Sequence, residues 1–215
     1  MSLYDKYVLP KFLNCACGSN PVSRQRQKVV PLVEGKVLEV GVGSGLNLPF
    51  YDKSKIDELW GLDPSEELSD MARKVADREN IVVNFISSGA EEIPLPDSYF
   101  DSVLITYTMC TIPEVARANK EIKRVLKRGG KLIFCEHGEA PDENIRKWQK
   151  RINPFWGKLA GGCNINRKIP SLIQNAGFEI VELEEMYLPK TPKIAGYNYC
   201  CLLYTSPSPR DRTRS

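Results

Sequence analysis

The sequence lacks any long apolar run. Although 42% of its 215 residues are hydrophobic, no stretch approaches the roughly 18 consecutive apolar residues of a membrane-spanning helix. The first ten residues include Asp5 and Lys6 and lack the long apolar core that is typical of a signal peptide. We therefore expect a cytoplasmic protein without a transmembrane anchor, long enough for one domain with a small lid.

An excess of charge of either sign is also missing. The 30 basic and 27 acidic residues leave a net charge of +3, and three of the arginines fall within the last eleven residues. So small an excess does not indicate a nucleic-acid-binding surface, and we expect no nucleic-acid partner. The oligomeric state has no sequence signature.

A metal-binding cluster is not visible along the chain either. Cys15 and Cys17 are too close in sequence for a usual zinc pair, and no second cysteine or histidine cluster complements them. The seven cysteines are scattered and odd in number, which favours reduced thiols. From local spacing we therefore expect no metal site.

Strands and helices alternate through the middle of the chain, which predicts an α/β fold with a parallel sheet and helices on both faces. Apolar periodicity and turn residues place the elements. The predicted strands are 36–40, 57–62, 81–86, 100–106, 131–136, 178–187 and 194–203, and the predicted helices are 65–76, 113–127 and 171–176.

Residues 138–170 follow the fifth predicted strand and are less regular. They combine basic residues with Trp148, Phe155 and Trp156. Ligands of open α/β sheets lie beyond the carboxyl ends of the strands, so this insertion is placed to form a lid. Its basic residues either form a solvated face or meet an anionic substrate or lipid headgroup.

The two ends of the chain are predicted to differ from this domain, which we place at 31–204. Residues 1–30 are predicted to form capping helices, because Tyr4, Tyr7, Val8, Phe12 and Leu13 suggest an amphipathic helix. The alternative for this helix is contact with a membrane surface, helped by nearby basic residues. Residues 205–215 contain no apolar residue apart from two prolines, and we interpret them as a disordered or non-native tail.

The strongest motif follows the first predicted strand. Gly41, Gly43 and Gly45 allow a tight turn with positive φ and a close approach of the backbone to a ligand. The dinucleotide pattern G-x-G-x-x-G would need glycine at position 46, which is leucine. Asp63, at the end of the second predicted strand, suits ribose hydroxyls, although it could also cap the following helix.

These motifs resemble the class I S-adenosylmethionine-dependent methyltransferases, and most closely their type 11, or UbiE-like, subgroup. The matching segments are Glu39-x-Gly-x-Gly-x-Gly45, Gly61-Leu-Asp-Pro64, 90–97, Phe100-Asp101 and 124–130. Further segments resemble the thiol S-methyltransferases of animals and their soluble bacterial relatives: Cys135-Glu-His137, Trp148, Pro154-x-Trp156 and Gly162-Cys-Asn-x-x-Arg167. The resemblance implies a Rossmann-like, mostly parallel sheet of seven strands whose last strand is antiparallel.

The resemblance also implies a set of functional residues. S-adenosylmethionine is the expected cofactor, and its cationic groups would favour a nearby carboxylate such as Glu39. The cofactor-binding candidates are Glu39, Gly41, Gly43, Gly45, Asn47, Asp63, Pro64, Ala90, Glu91 and Thr106. The catalytic candidates are His137 and Tyr107, and the substrate-binding candidates are Trp148, Trp156, Asn164 and Arg167.

The function that follows is methyl transfer to a small-molecule acceptor, with a thiol sulfur as the first hypothesis. The alternatives are an oxygen or carbon acceptor, such as a quinol precursor or a lipid, and a non-catalytic protein that binds the cofactor. His137 could act as a general base or pack against the lid. Cys110 and Cys163 are either substrate-side groups or small buried hydrophobes.

Overall fold

The computed structural model describes residues 16–205 of the chain. The strands are β1 (Gly35–Val40), β2 (Ile56–Leu62), β3 (Asn84–Ile86), β4 (Phe100–Thr106), β5 (Leu126–His137), β6 (Glu179–Tyr187) and β7 (Tyr197–Thr205). The helices are α1 (Asn20–Val29), α2 (Glu66–Glu79), α3 (Val115–Val125), α4 (Glu143–Leu159) and α5 (Ile169–Asn175).

All seven strands form one sheet, in the order β3-β2-β1-β4-β5-β7-β6. The first five pair in parallel, and β7 runs antiparallel to both of its neighbours, β5 and β6. The chain order reverses between β1 and β4, which is the switch point where open α/β sheets bind ligands. The predicted Rossmann-like sheet, including its antiparallel last strand, is confirmed.

The core lies on both faces of this sheet because successive side chains of a strand point in opposite directions. On β4, Val103 and Ile105 pack on the face that α3 and α5 cover, whereas Leu104 packs on the face that α1 and α2 cover. Both sides of the strands at the switch point are therefore buried. Only the loops at the carboxyl ends of these strands are left to form a site.

The region that sequence left irregular after β5 contains a 17-residue helix, α4. Pro154 lies inside this helix and masks its helical signal, since proline disfavours a helix interior. The predicted capping helices span residues 1–30. Residues 1–15 lie outside the described part of the chain, and α1 lies within the other half of this range. Among the described residues, no helix is both long and apolar enough to cross a bilayer.

The sheet brings one pair of cysteines together. Cys135 on β5 and Cys200 on β7 lie opposite each other with their Cα atoms 4.2 Å apart and their sulfurs in contact. The expectation of reduced thiols stays a prediction, because this contact does not decide the redox state of the pair. Neighbouring antiparallel strands brought the two residues together, and their separation of 65 positions gave no local signal.

The structure moves the start of the predicted tail from residue 205 to residue 206. Thr205, the first residue of the predicted tail, is the last residue of β7 and pairs with Lys131 and Glu179. Residues 206–215 lie outside the described part of the chain. Because they offer almost nothing apolar to bury, we expect a deletion of 206–215 to leave the melting temperature unchanged by calorimetry.

A longer deletion provides the contrast. Removing 198–215 would take away most of β7, which connects β6 to the rest of the sheet, and should abolish cooperative unfolding. A loss of several degrees on the shorter deletion would contradict the tail assignment.

Candidate active site

The turn after β1 shows why glycine is needed at three alternate positions. Gly41, Gly43 and Gly45 all have positive φ, at 75°, 53° and 80°. A Cβ on Gly41 would overlap the side chain of Thr108, and one on Gly45 would lie 3.0 Å from the Cα of Ala72 in α2. A Cβ on Gly43 would meet nothing closer than 3.9 Å. Gly43 therefore faces a cavity, whereas Gly41 and Gly45 are needed because other protein atoms occupy the space that a side chain would fill.

Asp63 joins this turn to the end of β2. Its Oδ2 accepts a hydrogen bond from the Gly43 amide at 3.0 Å, and its Oδ1 accepts one from the Ser65 amide at 2.9 Å. Burial raises the pKa of Asp63, and these two hydrogen bonds oppose that rise. The alternative role as the cap of α2 is wrong, since the capping oxygen belongs to Ser65 and accepts from the Leu68 amide.

Two cavities meet at Gly41 and Asp63, along the carboxyl edge of the sheet. The cavity on the β3 side, here called the β3-side cavity, is lined by Pro64, Gly89, Ala90 and Glu91 among others. The other, here called the cysteine-side cavity, lies beyond β4 and β5 and is lined by residues that include Cys17, Arg26, Gly43, Thr106, Tyr107, Cys110, His137 and Cys163. The two together form an extended cleft over the switch point.

A network of buried polar groups lies beneath the cysteine-side cavity. Glu39 accepts hydrogen bonds from Asn47 Nδ2 at 2.8 Å and from the Tyr51 hydroxyl at 2.7 Å. The Nη1 of Arg26 donates to Asn47 Oδ1 at 2.7 Å and to Thr106 Oγ1 at 2.5 Å. Burial raises the pKa of Glu39 to about 7, against the lowering effect of its two hydrogen bonds and of Arg26.

This network separates the candidate residues into two groups. Arg26 and Thr106 line the cavity, whereas Glu39 and Asn47 do not and act on it through their hydrogen bonds. Sequence reasoning considered Arg26 only as part of a basic surface. Its guanidinium is buried, with the residue 5% exposed, and nothing in the local sequence distinguishes it from its neighbour Arg24.

Tyr107 follows β4 with a positive φ of 53°, unusual for a residue other than glycine. Its hydroxyl donates to Asn198 Oδ1 at 2.7 Å, which fixes the ring against β7. The Cζ of Arg26 lies 5.1 Å from the ring centroid, and the ring of His137 stacks beside it at 6.5 Å. Tyr107 thus forms a wall between the polar network and the next group of residues.

That group consists of Cys110, His137 and Cys163, here called the Cys–His–Cys cluster. The cluster comes from the loop after β4, the end of β5 and the loop after α4, and the sulfur and nitrogen atoms all lie within 4.8 Å of one another. Cys163 Sγ is 3.4 Å from His137 Nε2. Hydrogen bonds from Cys110 and His137 lower the pKa of Cys163 against the effect of burial. Burial lowers the pKa of His137, but the hydrogen bond and charge interaction with Cys163 and the charge of Glu136 together raise it above its usual value.

The four predicted substrate-binding residues lie in different environments. Trp148 is 54% exposed on α4, with Arg151 over its ring, and does not line the cleft. Trp156 packs against the small core that contains Cys110 and Cys163. Neither Asn164 nor Arg167 lines the cleft.

Asn164 and Arg167 instead attach the lid to the loop after β4. Asn164 donates to the carbonyl of Cys110 through its amide and its side chain, at 2.9 and 3.1 Å. Arg167 donates to the carbonyl of Met109. These contacts fix the position of Cys110 relative to Cys163.

Comparison with known sequences agrees with this geometry. A family model described as a methyltransferase domain matches residues 38–134. The chain is 29% identical over 172 residues to thiol S-methyltransferase TMT1B of Rattus norvegicus, covering 76% of this chain and 70% of the relative. It is 35% identical over 154 residues to phosphatidylethanolamine N-methyltransferase of Cereibacter sphaeroides, covering 71% and 74%.

Comparison with solved structures supports the fold. An S-adenosylmethionine-dependent methyltransferase from Mesorhizobium loti superposes with a TM-score of 0.64 at 17% identity, over 88% of this chain and 99% of that one. The glycine turn, Asp63 and the cleft lie at the carboxyl ends of the strands at the switch point, where open α/β sheets bind ligands. The chain belongs to the S-adenosylmethionine-dependent methyltransferases.

Proposed function

We propose that this methyltransferase transfers the methyl group to the sulfur of a small thiol. The observation that carries the proposal is the Cys–His–Cys cluster, which lines the cysteine-side cavity together with Tyr107 and has the ring of Trp156 packed behind its two cysteines. A cavity wall of sulfur and aromatic groups suits a soft and weakly hydrated acceptor. The similarity to a thiol S-methyltransferase supports the same acceptor class.

The cleft also suggests how the cofactor lies. We assign the adenosine to the β3-side cavity, with the ribose hydroxyls at Asp63 and the base beside Ala90 and Glu91. The lone pairs of Asp63 that its two backbone hydrogen bonds leave unused can accept from the ribose. Arg26 then supplies the positive charge for the amino-acid carboxylate at the other end.

Positioning is the main contribution that this site can make to the reaction. Bound S-adenosylmethionine supplies an electrophilic methyl group. The residues of this chain would hold the acceptor sulfur in line with that methyl group, and His137 or water would accept the thiol proton. Full ionisation of a thiol with a pKa of about 8.5 is worth only about 2 kcal/mol at pH 7. Aligning the two reactants in a dry pocket can contribute roughly 7–11 kcal/mol.

One feature of α4 favours a second candidate, an amphiphilic acceptor such as a lipid or quinol precursor. Phe155 and Leu159 are 77% and 56% exposed, and they border an apolar groove with Ile152 and Trp156. Because Trp156 also packs against Cys163, this groove lies next to the site. The similarity to a phosphatidylethanolamine N-methyltransferase is consistent with this candidate.

The glycine turn generates a prediction about cofactor binding. A side chain at position 43 would project into the cleft without overlapping the protein, so Gly43→Val should abolish binding of S-adenosylmethionine by isothermal titration calorimetry. Gly129→Val is the matched control, because Gly129 also has positive φ, at 76°, and open space around it. Asp63→Ala should weaken binding by about 1.5–3 kcal/mol through the loss of charge-assisted hydrogen bonds. Parental affinity in folded Gly43→Val and Asp63→Ala would show that the assigned cofactor site is incorrect.

An acceptor panel tests the proposed reaction. Hydrogen sulfide, small alkyl thiols, catechols, quinols and phosphatidylethanolamine vesicles should be offered in parallel, with release of S-adenosylhomocysteine as the measurement. We expect turnover with the thiols. Turnover with an oxygen, carbon or nitrogen acceptor alone would replace the thiol assignment, and cofactor binding without turnover on any acceptor would favour a non-catalytic role.

The residues around the acceptor should contribute mainly through position. We expect His137→Ala to slow thiol turnover by no more than about a hundredfold, with part of the loss recovered at high pH as the acceptor thiol ionises. Trp156→Ala should do comparable harm by opening the pocket. Trp148→Ala is the control from the same helix, because its exposed ring does not line the cleft. A loss far above a hundredfold in His137→Ala, with no recovery at high pH, would contradict this account.

A further inference from the structure

The Cys–His–Cys cluster has the dimensions of a metal site. With zinc–sulfur bonds of about 2.3 Å and zinc–nitrogen bonds of about 2.0 Å, tetrahedral coordination places sulfur and nitrogen about 3.5 Å apart and two sulfurs about 3.8 Å apart. The 3.4 Å between Cys163 Sγ and His137 Nε2 is close to the first value. All three separations between the ligand atoms are at most 4.8 Å, so a minor movement of the side chains would bring the two sulfurs to the required distance of about 3.8 Å.

The number of ligands points to a site with an open coordination position. Structural zinc sites usually have four protein ligands, whereas catalytic sites have three and leave the fourth position to water or substrate. Cys17 lines the same cavity, but among the described residues it is not part of the group within ligand distance. Because Cys110, His137 and Cys163 all line the cysteine-side cavity, a fourth coordination position would be open to that cavity.

The cluster is also held in place before any ion arrives. The two hydrogen bonds from Asn164 to the Cys110 carbonyl join the loop of Cys163 to that of Cys110. His137 is fixed at the end of β5 by its pairing with Asn198 on β7. The two cysteines are buried, at 3% and 7% exposed, which favours exclusion of competing water. Such support lowers the conformational entropy that binding an ion would otherwise lose.

We propose that Cys110 Sγ, Cys163 Sγ and His137 Nε2 bind a zinc ion whose open position accepts the sulfur of the acceptor as a thiolate. Two thiolates and an imidazole in a tetrahedral arrangement favour zinc over harder divalent ions. Two thiolates and neutral histidine also balance the double positive charge of the ion. The part of this inference that concerns the acceptor rests on the proposed thiol methylation, whereas the metal site itself does not.

The binding step conserves charge and protons. The acceptor sulfur replaces a water molecule on zinc, a zinc–sulfur bond forms, and the thiol proton passes to solvent. A metal-bound thiol is deprotonated outright, so the ion keeps the acceptor nucleophilic at neutral pH. In this arrangement His137 is a ligand and the ion takes over the role of a general base.

Metal content of the full chain tests the inference directly. Purified protein should be equilibrated with a defined zinc buffer and its bound zinc measured by elemental analysis. We expect one equivalent in the parent and a fall in affinity of more than about a hundredfold in Cys110→Ser, Cys163→Ser and His137→Gln, since loss of even an outer-shell partner costs up to that much. Bound cobalt(II) should show a thiolate charge-transfer band in the parent that is lost in these variants.

Two further cysteine variants provide matched controls. Cys17→Ser changes a thiol that lines the cavity, and Cys201→Ala changes a buried thiol on β7 outside the cluster. Both should keep one equivalent of zinc, and circular dichroism of the metal-free proteins should confirm that all variants fold. A parent without stoichiometric zinc, or folded cluster variants that bind zinc as tightly as the parent, would overturn the proposal.

Turnover in the presence of a chelator separates the two hypotheses. If thiols are methylated equally well by protein shown to be metal-free, the zinc inference is wrong and the proposed function stands. If zinc binds as expected and no thiol is turned over, the proposed function fails while the metal site remains. Slower thiol turnover in the metal-free protein, restored by added zinc, supports both.

Discussion

The hydrogen bond from the Gly43 amide to the carboxylate of Asp63 is the contact on which the site depends. Parallel pairing brings the ends of β1 and β2 side by side, but it does not determine the path of the chain beyond them. One oxygen of the Asp63 carboxylate accepts a hydrogen bond from the Gly43 amide and so fixes the turn. The other oxygen accepts from the Ser65 amide and fixes the start of α2. One buried side chain thus shapes the floor of both cavities, and this explains why glycines and an aspartate are needed together.

Burial of charge is the second constraint on this edge of the sheet. Arg26, Glu39 and Asp63 are each less than a tenth exposed, and an unpaired charge in such a place would be strongly unfavourable. The hydrogen bonds through Asn47 and Thr106 compensate for this by connecting α1, β1 and β4 in one network. Because Arg26 comes from α1, the segment before the sheet contributes to the cleft as well as covering it. A bound amino-acid carboxylate would add a further partner for this charge.

The features that could be predicted from the sequence are those that local residue patterns determine. The strand β4 was predicted with its observed bounds, 100–106, because its apolar and β-branched run follows a segment rich in turn residues. The glycine turn and Asp63 were found because their spacing reflects one contact between neighbouring strands. Arg26 was not identified as part of the site. His137, Cys110 and Cys163 were named as separate candidates but not as one cluster, since residues 110, 137 and 163 meet only through the tertiary fold. Helix α4 was missed because Pro154 masks its pattern, and so the outward position of Trp148 could not be inferred.

The difference between local patterns and tertiary contacts also explains why the cofactor is easier to assign than the acceptor. The loops after β1, β2 and β3 form the proposed cofactor half, and the matched family model, residues 38–134, contains all of them. The loop after β4, the end of β5 and the loop after α4 form the proposed acceptor half, and two of these three segments lie beyond residue 134. Relatives named for a thiol and for phosphatidylethanolamine can therefore share the first half closely. The identity of the acceptor has to be sought in Cys110, His137 and Cys163 and in the adjacent helix α4, because all of these except Cys110 lie outside the segment that the family model covers.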